Sequence, residues 1–318
     1  MGIRQQGEIT QSGYSGEYSM FFATEFQENL MIGGSLGIHT GRYQYNRIFQ
    51  EIDEDNVYDS PDFLDSSGDG VGDTDIHRIT LGDRLDSRYS GFRARLGLLY
   101  KLNENINLGG SYTFRSTIEV DEKFDADIVT RFDNNREFSA STDSEFSYKI
   151  IYPSRAALGV GISDIAGLAV SVSAEYVDYS DASVDFKETD LFDSEQLEND
   201  FISSSYRSVW NFRIGSEYKV SELLILRGGY SYKPSRFVNG SDNRNIFAAG
   251  AGISLTRNIR FLIAAQYEVW DEVSSLYDYA HYDYTLLPDA PPGLEFRSQE
   301  ISRSVDRWNV LGTLRVRL

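Results

Sequence analysis

The stretch from Tyr152 to Tyr179, YPSRAALGVGISDIAGLAVSVSAEYVDY, constrains the fold more than any other. Ala156, Leu158, Val160 and Ile162 alternate with Arg155, Ala157, Gly159, Gly161 and Ser163, leading into the turn Asp164-Ile165-Ala166-Gly167. A second run follows, with Leu168, Val170, Val172, Ala174 and Tyr176 on one face. Ala169, Ser171, Ser173, Glu175 and Val177 take the other. Period two on both sides of a short Gly-bearing turn is an antiparallel hairpin. One face is aliphatic and aromatic, while the other is small, polar and charged. Repeated along the chain, that pattern fits a barrel in lipid with a polar lumen better than a sheet in water.

Composition agrees with such a barrel. No stretch reaches the roughly 20 consecutive apolar residues of a membrane helix, and a barrel needs none, because its lipid-facing and lumenal residues interleave. A mean hydropathy of -0.38 is therefore no argument against a membrane. With no cysteine, disulfides and thiolate metal sites are excluded. A net charge of -19 argues against nucleic acid, whose phosphates call for basic patches. MGIRQQGEIT has no basic segment followed by an apolar core, so the chain is expected to be a mature or N-terminally shortened form.

The alternation recurs in order. Residues 3–24 read as two short strands, and a long strand starts at Leu30. Residues 51–75 form a loop with ten acidic residues and no basic one. Phe92, Ala94, Leu96, Leu98 and Tyr100 share a face, as do Ile106, Leu108, Tyr112, Phe114 and Ile118 on the next strand. Residues 121–136 and 188–200 read as polar loops. Further strands carry Trp210, Phe212 and Ile214, then Leu224 and Leu226, then Phe247 and Ile253, then Phe261 and Ile263, then Trp308, Val310 and Leu314. Short turns alternate with long loops, as in outer-membrane barrels. The expectation is one all-β domain over residues 1–318. It is an antiparallel transmembrane barrel of about twelve strands with long acidic outer loops, and Leu168, Val170, Leu224, Leu226, Phe261 and Ile263 face outward. A soluble sandwich explains the alternation, but not the charged residues opposite wholly apolar faces.

Four pieces resemble the FadL family (the OMPP1/FadL/TodX group) of outer-membrane transporters for long-chain fatty acids and other hydrophobic compounds. They are Pro153 with Leu158-Gly159-Val160, then Ala174 to Ser180, Phe212 to Tyr218, and Leu226 to Tyr232. The resemblance implies passive transport in the bacterial outer membrane, past the lipopolysaccharide that blocks simple partitioning. It implies no enzymatic activity, hydrophobic small molecules as partners and a monomer. It also implies fourteen strands and an N-terminal hatch with an Asn-Pro-Ala motif, which this sequence lacks, so a shortened N-terminus is expected. The last residue, Leu318, stands where the family usually ends in an aromatic.

Arg207, Arg213 and Arg227, with Leu223 and Ile225, are the lumen candidates. A guanidinium can grip a carboxylate head group bidentately while aliphatics support its chain. The plainer reading pairs most lumenal arginines with Glu119, Glu175, Glu217 and Glu268. Pro153 cannot donate a ladder hydrogen bond, so it is expected to kink or bulge its strand. The two readings are a kink that opens the wall sideways and a bulge that only adjusts barrel curvature. Asp65, Ser67, Asp69, Asp73 and Asp75 are spaced as in a calcium loop, and a Ca²⁺ site and a solvated acidic loop weigh equally. No other cofactor is expected. Two rival functions stand: a porin-like or adhesive surface barrel, and a Ca²⁺-linked phospholipase. The latter would need a Ser–His pair on the lipid face, and His39 falls on the lumenal one.

Overall fold

Alternation becomes ladder over nearly the whole chain. The structure, a computed structural model, describes residues 3–60, 62–187, 192–256, 258–275 and 300–316. Its strands are β1 (Arg4–Gln27), β2 (Leu30–Ile52), β3 (Ile76–Lys101), β4 (Ile106–Thr113), β5 (Ser116–Phe132), β6 (Glu137–Tyr152) and β7 (Arg155–Ile165). Then come β8 (Leu168–Asp178), β9 (Ser183–Asp185), α1 (Phe192–Ser205), β10 (Ser208–Lys219), β11 (Leu224–Lys233), β12 (Arg244–Ser254), β13 (Ile259–Ser275) and β14 (Glu300–Val316). All belong to one 14-stranded sheet. Its path runs β14-β13-β12-β11-β10-β8-β7-β4-β3-β5-β6-β9, with β2 also on β3 and β1 on β2. β4 and β5 follow one another along the same neighbour, β3, and β7 continues β6 after two residues. Joined in this way, fourteen strands become twelve, one of them the three-residue β9.

Contacts gather the chain into two compact units. The first comprises Met1–Glu17, His39–Gly91 and Ile118–Lys149. Phe49, Ile52, Ile118, Val120 and Phe132 are buried in it, and Arg42 meets Asp86, Arg47 meets Asp83 and Lys123 meets Glu145. The second comprises Tyr18–Ile38, Phe92–Thr117 and Ile150–Leu318. It contains the hairpin that opened the sequence reading. Leu158 pairs with Ala174, Val160 with Val172 and Ile162 with Val170. Ala166 (φ 53) and Gly167 (φ 80) turn the chain, two positive φ values in succession that match the twist of a two-residue hairpin.

Four sequence expectations change. Residues 4–27 form one strand rather than two. Residues 116–132 are strand, not loop, leaving a turn at 133–136. Charges there are as many as apolar residues, yet Ile118, Val120 and Phe132 keep period two and are buried. Residues 192–205 are helical. Ile118, finally, does not share a face with Tyr112. Arg95 pairs with Thr113 and Gly91 with Ile118, so four residues (114–117) oppose three (92–94). A bulge of one extra residue exchanges the two faces of everything beyond it, so Glu119 is exposed and Ile118 buried.

Candidate functional site

In the second unit, ladder register sorts the side chains into rows. On one face Ile214, Tyr230, Phe247, Tyr267 and Trp308 stand side by side. Ring pairs reinforce that row: Tyr230–Phe247 at 5.1 Å and Tyr267–Trp308 at 4.8 Å, with Tyr176–Trp210 at 5.2 Å nearby. Leu168, Leu226, Phe261 and Ile263 are exposed on this same face, as expected. Trp210 and Tyr218 lie eight residues apart on β10, about 26 Å at strand rise. The apolar band of an outer-membrane barrel, between its aromatic girdles, is about 25 Å tall. This face is built to meet lipid.

The opposite face differs row by row. One row runs Gly159, Ser173, Arg213, Ser231, Ile246, Glu268, Arg307, and the next Gly161, Ser171, Gly215, Gly229, Ala248, Gln266, Asn309. The second is a belt of small and neutral side chains. A Cβ added at Gly161 would meet nothing within 4 Å. Glycine weakens a strand interior, and neither crowding nor a positive φ requires it at Gly161. What it provides is open space.

Beside that belt, toward the loop that follows β8, lies a cavity of about 270 Å³. Arg155, Arg213, Lys233, Arg236 and Arg244 line it against only Glu175 and Asp242. Arg213 Nη2 donates to Glu175 Oε1 at 3.3 Å, and Asn211 Nδ2 donates to the same oxygen at 3.1 Å. Arg244 Nη1 donates to Glu268 Oε1 at 3.3 Å and lies 4.6 Å over the Trp270 ring. Arg236 rests over Phe237 at 5.3 Å. Arg155 and Lys233 have no hydrogen-bond or ion-pair partner among the described residues. In a chain of net charge -19, this concentration of cations has the chemistry to hold an anion. On the other side of the belt an apolar groove of about 320 Å³ runs past Gly229, Ala248, Gly250, Leu262, Ala264 and Leu311. Arg227 stands at its edge, its Nε donating to Glu217 Oε2 at 2.7 Å. From Lys233 to Arg227 is six residues of β11, about 20 Å along the strand.

Of the sequence candidates, Arg213 lines the cationic cavity and Arg227 the groove. Ile225 lies beside Gly252 on the inner face. Arg207 sits just before β10, with Nε donating to the Ser235 carbonyl at 3.1 Å, and Leu223 is an exposed turn residue. Arg155, Lys233, Arg236 and Arg244 were not among the sequence candidates for the site. Alternation alone puts Arg155 on the face opposite Leu158, and Lys233 on the face of Arg227, Gly229 and Ser231. Arg236 and Asp242 come from a loop that only the fold brings in.

Pro153 is buried in a break between β6 and β7. Thr113 pairs with Arg155, so this break, at 153 and 154, faces the one at 114 and 115 between β4 and β5. Two neighbouring strands thus lose their ladder at one level. Arg115 Nη2 donates to the Asp181 carbonyl at 2.5 Å.

The acidic loop is folded on its own carboxylates. Asp65 accepts from the N–H groups of Gly68 and Gly70, each at 2.6 Å, and from Ser67 Oγ at 3.2 Å. Asp73 accepts from Ser66 N and Oγ, both at 2.9 Å. The N–H of Gly70 holds Asp65 below the usual carboxylate range, with Gly68 adding to it, and the N–H of Ser66 does the same for Asp73. Asp69 accepts from Val71 N at 2.9 Å, and Asp75 from Ser60 N at 2.8 Å. Among the described residues, no three acidic or histidine side chains converge as a metal site would require.

Ser15 Oγ lies 3.2 Å from His39 Nε2, a contact sequence spacing did not suggest. His39 Nδ1 is buried without a partner, whereas a hydrolytic triad orients that nitrogen with a third group. Both residues lie on the face opposite Ile38, away from lipid.

A search of curated proteins returned no match. Among solved structures, a Pseudomonas aeruginosa FadL homologue is similar at 15% identity, covering 97% of this chain and 67% of that one, with a TM-score of 0.50. The Ralstonia pickettii toluene transporter TbuX aligns at 14% identity over 99% and 69%, with a TM-score of 0.49. The Pseudomonas putida toluene transporter TodX aligns at 12% over 98% and 88%, with a TM-score of 0.46. Residues 27–276 match the family described as outer membrane protein transport protein (OMPP1/FadL/TodX). The chain therefore belongs to that family, as a β-barrel of the bacterial outer membrane.

Proposed function

We propose that this barrel carries long-chain fatty acids, or amphiphiles of the same build, passively through the outer membrane. The family transports hydrophobic compounds. The observation that carries the narrower reading is the cationic cavity beside an apolar groove on one inner wall. A carboxylate head suits Arg155, Arg213 and Lys233, where charge-assisted hydrogen bonds are strong, and a methylene tail suits Gly229, Ala248 and Leu262. The paired breaks at 114–115 and 153–154 support a sideways exit for the tail, which spares it the aqueous side. The Asp65–Asp75 loop is proposed to bind Ca²⁺ only in the roughly 10⁻⁴–10⁻³ M range, since its carboxylates would first have to release their own N–H donors.

A second reading is a neutral aromatic hydrocarbon, after the toluene transporters among the similar structures. It leaves the unpaired cations without a role. Oleate soaked into crystals of the barrel tests the choice. The expected density is a carboxylate within hydrogen-bond distance of Arg213 or Lys233. Toluene ordered on the inner wall under conditions where oleate finds no seat would favour the second reading.

A further inference from the structure

We propose that the lipid-facing surface of β1 to β4 and β7 holds a seat for one acyl chain of an outer-leaflet lipid. A groove of about 580 Å³ lies there. Phe22, Leu96, Leu98 and Leu158 form its walls, and Gly110 and Ala156 its floor. Phe22 and Leu158 are 64% and 70% exposed, standing out on the apolar face. A Cβ on Gly110 would approach Leu158 Cδ2 to 3.5 Å and Leu98 Cγ to 3.6 Å. Glycine therefore keeps the trench between the two leucines open, with no positive φ to demand it.

Three observations identify the occupant. The trench crosses five adjacent strands, about 19 Å at four spacings of ~4.8 Å. One leaflet of a ~30 Å hydrocarbon core is about 15 Å deep, so a single lipid tail fits. Its lining is almost wholly hydrocarbon, which suits a tail and not a head group. Ala156 pairs with Tyr176, placing that end beside the Tyr176–Trp210 ring pair next to the long loop after β8, on the outer-leaflet side. A trench left empty against lipid would forfeit dispersion contacts along its length. Membrane lipid surrounds this face at far higher concentration than any solute, so mass action favours it. The proposal rests on the membrane location and not on the identity of the substrate.

Retention of lipid tests it. The barrel is reconstituted in vesicles of phosphatidylethanolamine, phosphatidylglycerol and short-chain lipopolysaccharide, re-extracted in mild detergent and weighed by native mass spectrometry. Gly110→Leu fills the floor, Leu158→Ala removes a wall, and Ala251→Leu alters the outer face elsewhere. The native barrel and Ala251→Leu are expected to keep one lipopolysaccharide, and both groove variants about threefold less. Heat-modified mobility reports folding, and if Gly110→Leu fails to fold, Leu158→Ala decides alone. Equal retention in native and groove variants would overturn the proposal. So would a free fatty acid or a phospholipid, rather than lipopolysaccharide, as the retained mass.

Discussion

The two units differ in how completely their cations are answered. In the first, cation meets carboxylate: Arg42 with Asp86, Arg47 with Asp83, Lys123 with Glu145. In the second, Arg213, Arg227 and Arg244 also meet carboxylates. Yet glycine, serine and alanine take much of the inner rows, and the Arg155 and Lys233 side chains have no carboxylate partner among the described residues. Satisfied pairs fill space and hold strands together. Small residues leave space, and an unanswered cation keeps its affinity for an incoming anion. On the proposed function, one arrangement serves as wall and the other as path.

The strongest way to break this contrast is to fill the path. Gly161→Leu puts a side chain where nothing lies within 4 Å, so the barrel is expected to fold. Uptake is expected to fall at least about tenfold, equivalent to ~1.4 kcal/mol, in cells lacking other transporters. Unchanged uptake would place the path elsewhere. Pro153→Val is expected to act next most strongly. It supplies the missing N–H donor, closes the gap beside β4 and slows oleate uptake severalfold. An intact barrel with undiminished uptake would move the exit to another strand.

Some of this was legible in the sequence because period two survives local composition. The 155–178 hairpin, the outward Leu226, Phe261 and Ile263, and the inward Arg213 and Arg227 all followed from alternation alone. The face exchange at Ile118 was hidden because one extra residue leaves hydrophobicity unchanged while reversing direction. The cationic cavity was half visible. Arg213 and Lys233 lie on strands, but Tyr179, Arg236 and Asp242 reach it from loops, and no periodicity positions a loop.

Smaller effects sharpen the contrast from the other side. Asp83→Ala removes the carboxylate that meets the partly buried Arg47. It is expected to lower stability by about 1 kcal/mol in urea unfolding while leaving oleate uptake unchanged. A transport defect of the same size as that of Gly161→Leu would erase the distinction between the units. Smallest is the pH response of the acidic loop. Asp65 and Asp73 are held below the usual carboxylate range by backbone N–H groups. Their contribution is therefore present above the ordinary carboxylate pKa and is lost as pH falls through the lowered values. Protease sensitivity of residues 57–75 is expected to rise only on acidification below that range, and Asp65→Asn is expected to show it already at neutral pH.

The central proposal is that the cations of the inner-wall cavity, Arg155, Arg213 and Lys233, select a carboxylate. The direct measurement compares uptake of oleate with uptake of its methyl ester through the native barrel and an Arg155→Gln/Arg213→Gln/Lys233→Gln variant. The expected result is a loss of about tenfold for oleate and little change for the ester, with the barrel folded in both. Equal losses for acid and ester, or none for either, would contradict the claim.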